Sequence, residues 1–191
     1  MQTIVLADVP ATLWRNGGGL TRLLASGRIG RPVGQPHLES FDWRISLADI
    51  AADGPFSCFP GVDRHALLLG AGAVELSGPS GGACALPLQP ISFPGEAQLH
   101  AQRLPGSLQP RLLNLMVRRS VLRGELRVIE RACRVDDAVA WALLPLAGRW
   151  RVRGAAEIAA GQAVCAGDAS PLQAEPLEPE SKAVLARIHC V

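Results

Sequence analysis

Alternation of apolar and polar residues predicts β-strands rather than helices in this chain. In residues 41–47 every second side chain is apolar, and Arg44 and Ser46 fall on the opposite, polar face. A second run, residues 111–118, is apolar on both faces except at Asn114. Such a run is typical of a strand buried on both sides, where Asn114 needs hydrogen-bond partners.

Short apolar runs separated by turn residues recur along the chain, whereas helical signals are scarce. Residues 125–144 contain neither Gly nor Pro, yet residues 125–130 alternate in polarity better than they follow a helical period. Further candidate strands are residues 3–6, 65–69, 73–76, 150–152 and 183–188. The pattern predicts an all-β barrel or sandwich.

A weak internal repeat relates the two halves of the chain. The Gly-Glu-Ala turn at residues 95–97 and the Gly-Asp-Ala turn at residues 167–169 each follow a short strand candidate. Each half reads as strand, turn, apolar strand and Gly-acid turn, which is the order of the central strands in a cupin β-barrel. We therefore predict two fused cupin-like barrels with little helix, residues 1–120 and 121–191, packed as one compact unit.

Composition and charge exclude several classes of protein. The chain has 191 residues, 48% hydrophobic and 19% charged, which excludes a disordered chain. Nineteen Lys and Arg against 17 Asp and Glu leave a net charge of +2, so we expect neither a nucleic-acid nor a membrane partner. The first residues lack a signal-peptide pattern, and no apolar run reaches the ~18 residues of a membrane helix.

The five cysteines are widely spaced and form no C-x-x-C pair. This excludes a zinc knuckle and a thioredoxin motif. Free thiols indicate a reducing compartment, and we expect a cytoplasmic protein.

The run Trp-Arg-Asn-Gly-Gly-Gly at residues 14–19 is the most unusual segment. Three glycines allow a tight turn or a close approach of the backbone to a ligand. Trp14 offers a flat apolar wall, and Asn16 offers a donor and an acceptor. Two interpretations stay open, a turn alone or a turn that lines a pocket.

A second loop leads into an apolar strand through Asp63, Arg64 and His65. An arginine that enters a barrel is costly unless it meets a carboxylate from the protein or from a ligand. Together with Arg44 and Ser46 this predicts a site for an anionic small molecule. A salt bridge at the rim of the barrel is the alternative.

The histidines do not form a convincing metal site. At most His65, Glu75 and His100 could converge, and the facing of their strands is open at this point. A metal site needs at least three converging ligands, so we predict neither a metal nor another cofactor.

Several ordered motifs resemble the HutD/Ves family. Arg15 stands where the family motif W-K-N-G-G-G-x-T usually has Lys. The resemblance is specific over residues 1–120, and the motifs that carry it are residues 14–21, 43–50, 54–64, 93–96 and 114–116. It implies a bicupin without the usual metal ligands, in the cytoplasm, linked to histidine utilisation. It also implies binding of a pathway intermediate such as formylglutamate.

The leading hypothesis is a protein that binds a small carboxylated metabolite and senses or governs flux in histidine or amino-acid catabolism. Arg44 and Arg64 would hold carboxylates, Trp14 would stack, and Asn16, Ser46 and Asn114 would orient amide or carbonyl groups. The alternative is a metal-independent cupin isomerase or hydrolase. Asp63 or His65 would then act as the general base, and no other catalytic residue is assigned. A protein adaptor is a third class. A homodimer is a further expectation, since exposed strand edges pair readily.

Overall fold

The computed structural model describes residues 1–14, 16–29, 41–79, 81–106 and 109–191. Over these ranges the chain forms nineteen strands and one 3₁₀ turn, Leu6–Asp8, and no helix is long and apolar enough to cross a membrane. The all-β prediction is confirmed. The strands are β1 Gln2–Val5, β2 Ala11–Leu13, β3 Gly19–Gly27, β4 Trp43–Ile50, β5 Gly54–Pro55, β6 Val62–Leu69, β7 Val74–Gly78, β8 Gly81–Ala85, β9 Ile91–Pro94, β10 His100–Arg103, β11 Arg111–Arg118, β12 Leu122–Ile129, β13 Cys133–Val135, β14 Ala140–Ala147, β15 Arg149–Val152, β16 Ile158–Ala159, β17 Gln162–Ala166, β18 Leu172–Pro176 and β19 Lys182–Cys190.

The strands form four sheets. The first outer sheet has the order β5-β10-β7-β8, and the first inner sheet has the order β2-β3-β4-β11-β6-β9. The second inner sheet has the order β1-β17-β14-β19-β12, and the second outer sheet has the order β13-β18-β15-β16. One outer and one inner sheet enclose each barrel.

The internal repeat is visible in the strand order. The run β4-β11-β6-β9 of the first inner sheet corresponds to β12-β19-β14-β17 of the second, an offset of eight strands. The same offset relates β5-β10-β7-β8 to β13-β18-β15-β16. The Gly-acid turns at residues 95–97 and 167–169 directly follow the equivalent strands β9 and β17. The predicted pair of fused cupin-like barrels is therefore the observed fold.

The first strand does not follow the division of the chain at residue 120. β1 pairs antiparallel with β17, so that Gln2 lies opposite Cys165 in the second inner sheet. β2 and β3 instead extend the first inner sheet beside β4. The second inner sheet thus contains one strand from residues 1–120.

Apolar cores fill the three spaces between the four sheets. The central core lies between the two inner sheets and includes Trp43, Leu115 and Leu126. A second core fills the second barrel around Trp141 and Trp150. In the first barrel, Leu68 and Leu112 belong to an apolar core at one end.

Successive side chains of β4 point to opposite faces of the sheet, so one set enters the central core and the other enters the first barrel. Trp43, Ile45 and Leu47 enter the central core, as the shared face in the sequence predicts. Phe41 precedes the strand and packs in another cluster with Met116, so its predicted place on that face is wrong. The polar face of Arg44 and Ser46 is also buried, because it turns into the first barrel.

Candidate functional site

Two arginines lie on the floor of the first barrel. Arg44 on β4 and Arg64 on β6 flank Met116 of β11 in a single cross-strand row. Directly opposed residues point to the same face of a sheet, so both side chains enter the barrel. Only 7% of Arg44 and 4% of Arg64 is exposed.

The Arg64 guanidinium is surrounded by aromatic rings and held by two acceptors. Its Cζ atom lies 4.8 Å, 5.6 Å and 5.0 Å from the ring centroids of Phe56, Phe59 and Phe93. Nη1 donates to the Ser57 carbonyl oxygen at 3.2 Å, and Nη2 donates to Asn114 Oδ1 at 3.4 Å. Ring faces attract a cation but carry no net charge to neutralise it.

The Arg44 guanidinium has fewer contacts. Its Cζ atom lies 6.0 Å from the centroid of the Phe41 ring. The Nε atoms of Arg44 and Arg64 are both buried and have no hydrogen-bond partner among the described residues. Over the described ranges neither guanidinium forms an ion pair, and no carboxylate contributes to the shift of either pKa.

Burial without a counter-charge changes the acid–base properties of both groups. Removal from water lowers the pKa of Arg44, and it lowers the pKa of Arg64 to about 10. The positive charge of Arg44 contributes to the shift in the pKa of Arg64. Each arginine is therefore a buried cation that would be stabilised by an anion.

Smaller polar side chains complete the floor of the barrel. Ser46 and Asn114 lie opposite each other on β4 and β11, next to the arginine row, and both are buried. Ser26 on β3 lies opposite Arg44. Among the described residues, five of the six buried polar side chains thus face this one interior.

Ser26 and the phenylalanines are members of the site that the sequence analysis missed. A bulge between Leu23 and Ala25 shifts the register of β3, so simple alternation does not place Ser26. All four phenylalanines of the chain lie near Arg44 or Arg64. A usable signal was the Phe-x-x-Phe run at residues 56–59 just before Arg64, since rings commonly cover buried guanidinium groups.

Trp14 and Asn16 belong to the glycine turn rather than to the arginine row. The Trp14 ring packs against Phe56, with centroids 6.4 Å apart, and its Nε1 donates to Thr21 Oγ1 at 2.8 Å. Asn16 is exposed, and its Oδ1 accepts from the Gly18 amide at 3.0 Å. Trp14 therefore reaches the site only through Phe56, and Asn16 stabilises the turn.

Asp63 and His65 lie on the opposite face of β6 from Arg64. Asp63 Oδ1 accepts from Arg119 Nε at 2.5 Å. The Nδ1 atom of His65 lies 2.7 Å from Ser92 Oγ, and the ring packs against Gly124 of the second barrel. Burial lowers the pKa of His65, which favours a neutral ring. The sequence grouped both residues with Arg64, but strand alternation separates them from it.

The three candidate metal ligands do not converge. His65 faces the second barrel, whereas Glu75 and His100 are exposed on the first outer sheet. In the part of the chain that the structure describes, no three His, Cys, Asp or Glu side chains are arranged to hold a metal ion.

Two open clefts lie on the surface away from the arginine pair. One is lined by Arg22, Asp49 and Arg111 at the end of the first inner sheet. The other is lined by Arg151 and Glu175 on the second outer sheet, among other residues. Because Arg44 and Arg64 are shielded from solvent, a ligand can reach them only if covering groups move.

Comparison with known proteins identifies the family. The model of the HutD family matches residues 6–185. The chain belongs to the HutD family. It is 34% identical over 155 residues to Protein Ves of Cronobacter sakazakii, an alignment that covers 80% of each chain. Arg15 of the family's first motif lies outside the described residues.

Solved structures support the fold of this HutD-family chain. HutD from Pseudomonas fluorescens SBW25 superposes with a TM-score of 0.79 and 23% identity, over 100% of this chain and 98% of that one. A mutant of Bacillus subtilis oxalate decarboxylase superposes with a TM-score of 0.57 and 10% identity, over 99% of this chain and 77% of that one. At these identities the likeness concerns the cupin-like fold alone.

Proposed function

We propose that this chain binds a small carboxylated metabolite inside its first barrel and thereby senses or governs flux in histidine or amino-acid catabolism. The observation that carries the proposal is the pair of buried guanidinium groups, Arg44 and Arg64, without a carboxylate partner in the described ranges. An uncompensated buried charge is costly, and a bound carboxylate would offset that cost with charge-assisted hydrogen bonds.

The polar groups beside the arginines suit a ligand that also carries an amide or carbonyl group. Ser46 is buried within the same interior, and Asn114 already accepts from Arg64 through Oδ1. Formylglutamate, with two carboxylates and a formamide, has both kinds of group. All five cysteines are free, as expected for a protein that works in the reducing cytoplasm.

The geometry gives less support to a metal-independent isomerase or hydrolase. That alternative needs a general base within about 3 Å of the reacting proton. Asp63 and His65 point away from the interior that holds Arg64. A base for this reaction would have to come from another residue.

A thermal-shift titration with N-formyl-L-glutamate, with and without a divalent metal, tests the proposal. If about 100 times the Kd is supplied, we expect the Tm to rise by about 5–10 °C. Arg64→Gln should greatly reduce the shift, because Arg44 alone would remain to neutralise a carboxylate. Arg153→Gln is the matched control, since Arg153 is exposed on the second barrel and bonds Gln173.

The same samples separate binding from catalysis. NMR spectra of the ligand after overnight incubation should show it unchanged, whereas consumption would favour the enzyme. Normal binding by the Arg64→Gln variant would overturn the site assignment.

A further inference from the structure

The loop before β6 shields Arg64 from water. Phe56 and Phe59 place their rings beside the guanidinium, and the Ser57 carbonyl accepts from Nη1. A ligand that pairs with Arg64 must therefore fit beneath this loop or displace part of it. The position of the loop decides how much of the guanidinium a ligand can reach.

Arg119 joins this loop to two other segments. It follows β11, and its amide donates to the Gly61 carbonyl at 3.0 Å. Its Nη2 donates to the Val62 carbonyl at 3.2 Å, and its Nε donates to Asp63 at 2.5 Å. Its Nη1 and Nη2 donate to the two carboxylate oxygens of Glu96 at 2.8 Å and 3.0 Å. We call Arg119, Asp63 and Glu96 the clasp.

The clasp holds the loop against the Gly-acid turn. The Phe59 amide donates to the Gly95 carbonyl at 2.7 Å, and the Gly95 amide donates to the Val62 carbonyl at 2.7 Å. A Cβ atom at Gly95 would collide with the Phe59 carbonyl oxygen, so the two segments are in close backbone contact. Hydrogen bonds from Arg119 lower the pKa of Glu96 to about 2. The Glu96 carboxylate is therefore ionised at neutral pH.

We propose that Arg119 is a positioning residue that holds the Phe56–Phe59 loop over Arg64 and thereby sets the affinity of the site for a carboxylate. The part that concerns affinity rests on the proposed function. Arg119 acts only through the loop and does not contact the ligand. A purely structural ion-pair cluster would instead change global stability without a specific effect on Arg64.

Two variants distinguish these roles. Arg119→Gln removes the clasp from the first barrel. Arg149→Gln is the matched control, because Arg149 likewise pairs with two carboxylates, Glu178 at 2.7 Å and Glu157 at 3.2 Å, in the second barrel. Urea unfolding then reports whether the two variants lose similar global stability.

The first readout needs no ligand. Phenylglyoxal modifies accessible guanidinium groups, and peptide mass spectrometry measures the rate at Arg64. We expect Arg119→Gln to raise that rate about tenfold, because Arg119 bonds the segment that carries the covering loop, and Arg149→Gln to leave it unchanged, because Arg149 shares no partner with that loop. Arg119→Lys keeps the charge but loses the bidentate contact with Glu96, and it should give an intermediate rate. An unchanged rate in Arg119→Gln would overturn the proposal.

The second readout is the Kd of N-formyl-L-glutamate from calorimetry. Arg119→Gln should weaken binding about tenfold, whereas Arg149→Gln should bind as the unmodified chain does. Faster modification of Arg64 with an unchanged Kd would overturn the role in affinity. If the unmodified chain itself fails to bind, the proposed function is wrong, and the modification rate alone decides whether Arg119 positions the loop.

Discussion

The two barrel interiors are enclosed by equivalent strands but are filled with different chemistry. In the first barrel, the row across β4, β11 and β6 reads Arg44, Met116, Arg64. In the second barrel, a row across the equivalent strands β12, β19 and β14 reads Glu125, Arg187, Trp141.

The difference lies in how each charge is compensated. Arg187 donates to Asp137 at 2.5 Å and has Glu125 at 3.8 Å. Trp141 is fully buried, and its Nε1 donates to the Ser170 carbonyl at 2.7 Å. The second interior therefore pairs its arginine with carboxylates, whereas over the described ranges the first contains two buried positive charges without a carboxylate partner.

The largest expected effect concerns the apolar interior. Trp150 is fully buried in the second barrel, so Trp150→Ala should lower the free energy of unfolding by about 3–5 kcal/mol. Urea unfolding of the ligand-free protein measures this. A loss below about 0.5 kcal/mol, the usual size of a surface effect, would contradict the assignment of this interior as the stabilising core.

The next effect has the opposite sign in the two barrels. Arg64→Met replaces a buried charge, which forms no ion pair within the described ranges, by an apolar side chain of similar length. It should raise the free energy of unfolding of the ligand-free protein by about 1–3 kcal/mol. Arg187→Met is the counterpart, and it should lower that free energy because Asp137 would lose its partner. If urea unfolding shows that both variants are less stable than the unmodified chain, the two interiors do not differ in how they compensate charge.

The smallest effect is a pH dependence. The unfolded chain keeps Arg64 protonated up to its ordinary pKa, whereas the folded chain releases the proton near pH 10. Between these values the unfolded state binds more protons, so this group makes stability rise with pH. From about pH 8 to about pH 11 the stability deficit of the unmodified chain relative to Arg64→Met should shrink by about 1 kcal/mol.

This pH window is favourable for the measurement because the chain contains no Tyr. Unfolding of both proteins in urea with a thiol reductant gives the difference at each pH. A deficit that stays constant, or grows, above pH 10 would show that Arg64 is not the desolvated cation described above.

Much of the fold could be predicted because strand alternation and turns are local signals. The run around Asn114 was predicted to be buried on both faces, and Asn114 is 3% exposed in β11. The Gly-acid turns revealed the repeat. The pairing of β1 with β17 could not be predicted, since no local pattern in residues 2–5 specifies a partner so distant in the chain.

The residue types of the site could be predicted from the sequence, but the arrangement of their side chains could not. Arg44, Ser46, Arg64 and Asn114 share one interior, as the pairing of their strands dictates. The sequence alone could not tell that His65 turns away, because the face of each residue depends on which side of the sheet is the barrel. Whether these residues bind a ligand stays a prediction.

The pairing of β1 with β17 in the second inner sheet has a consequence for folding during synthesis. Residues 2–5 leave the ribosome well before their partner β17, residues 162–166, has been made. β1 must stay without this partner while the first barrel forms, and closing this long loop is intrinsically slow. A nascent chain that stops before residue 162 would leave the edge of β1 free to associate with other molecules.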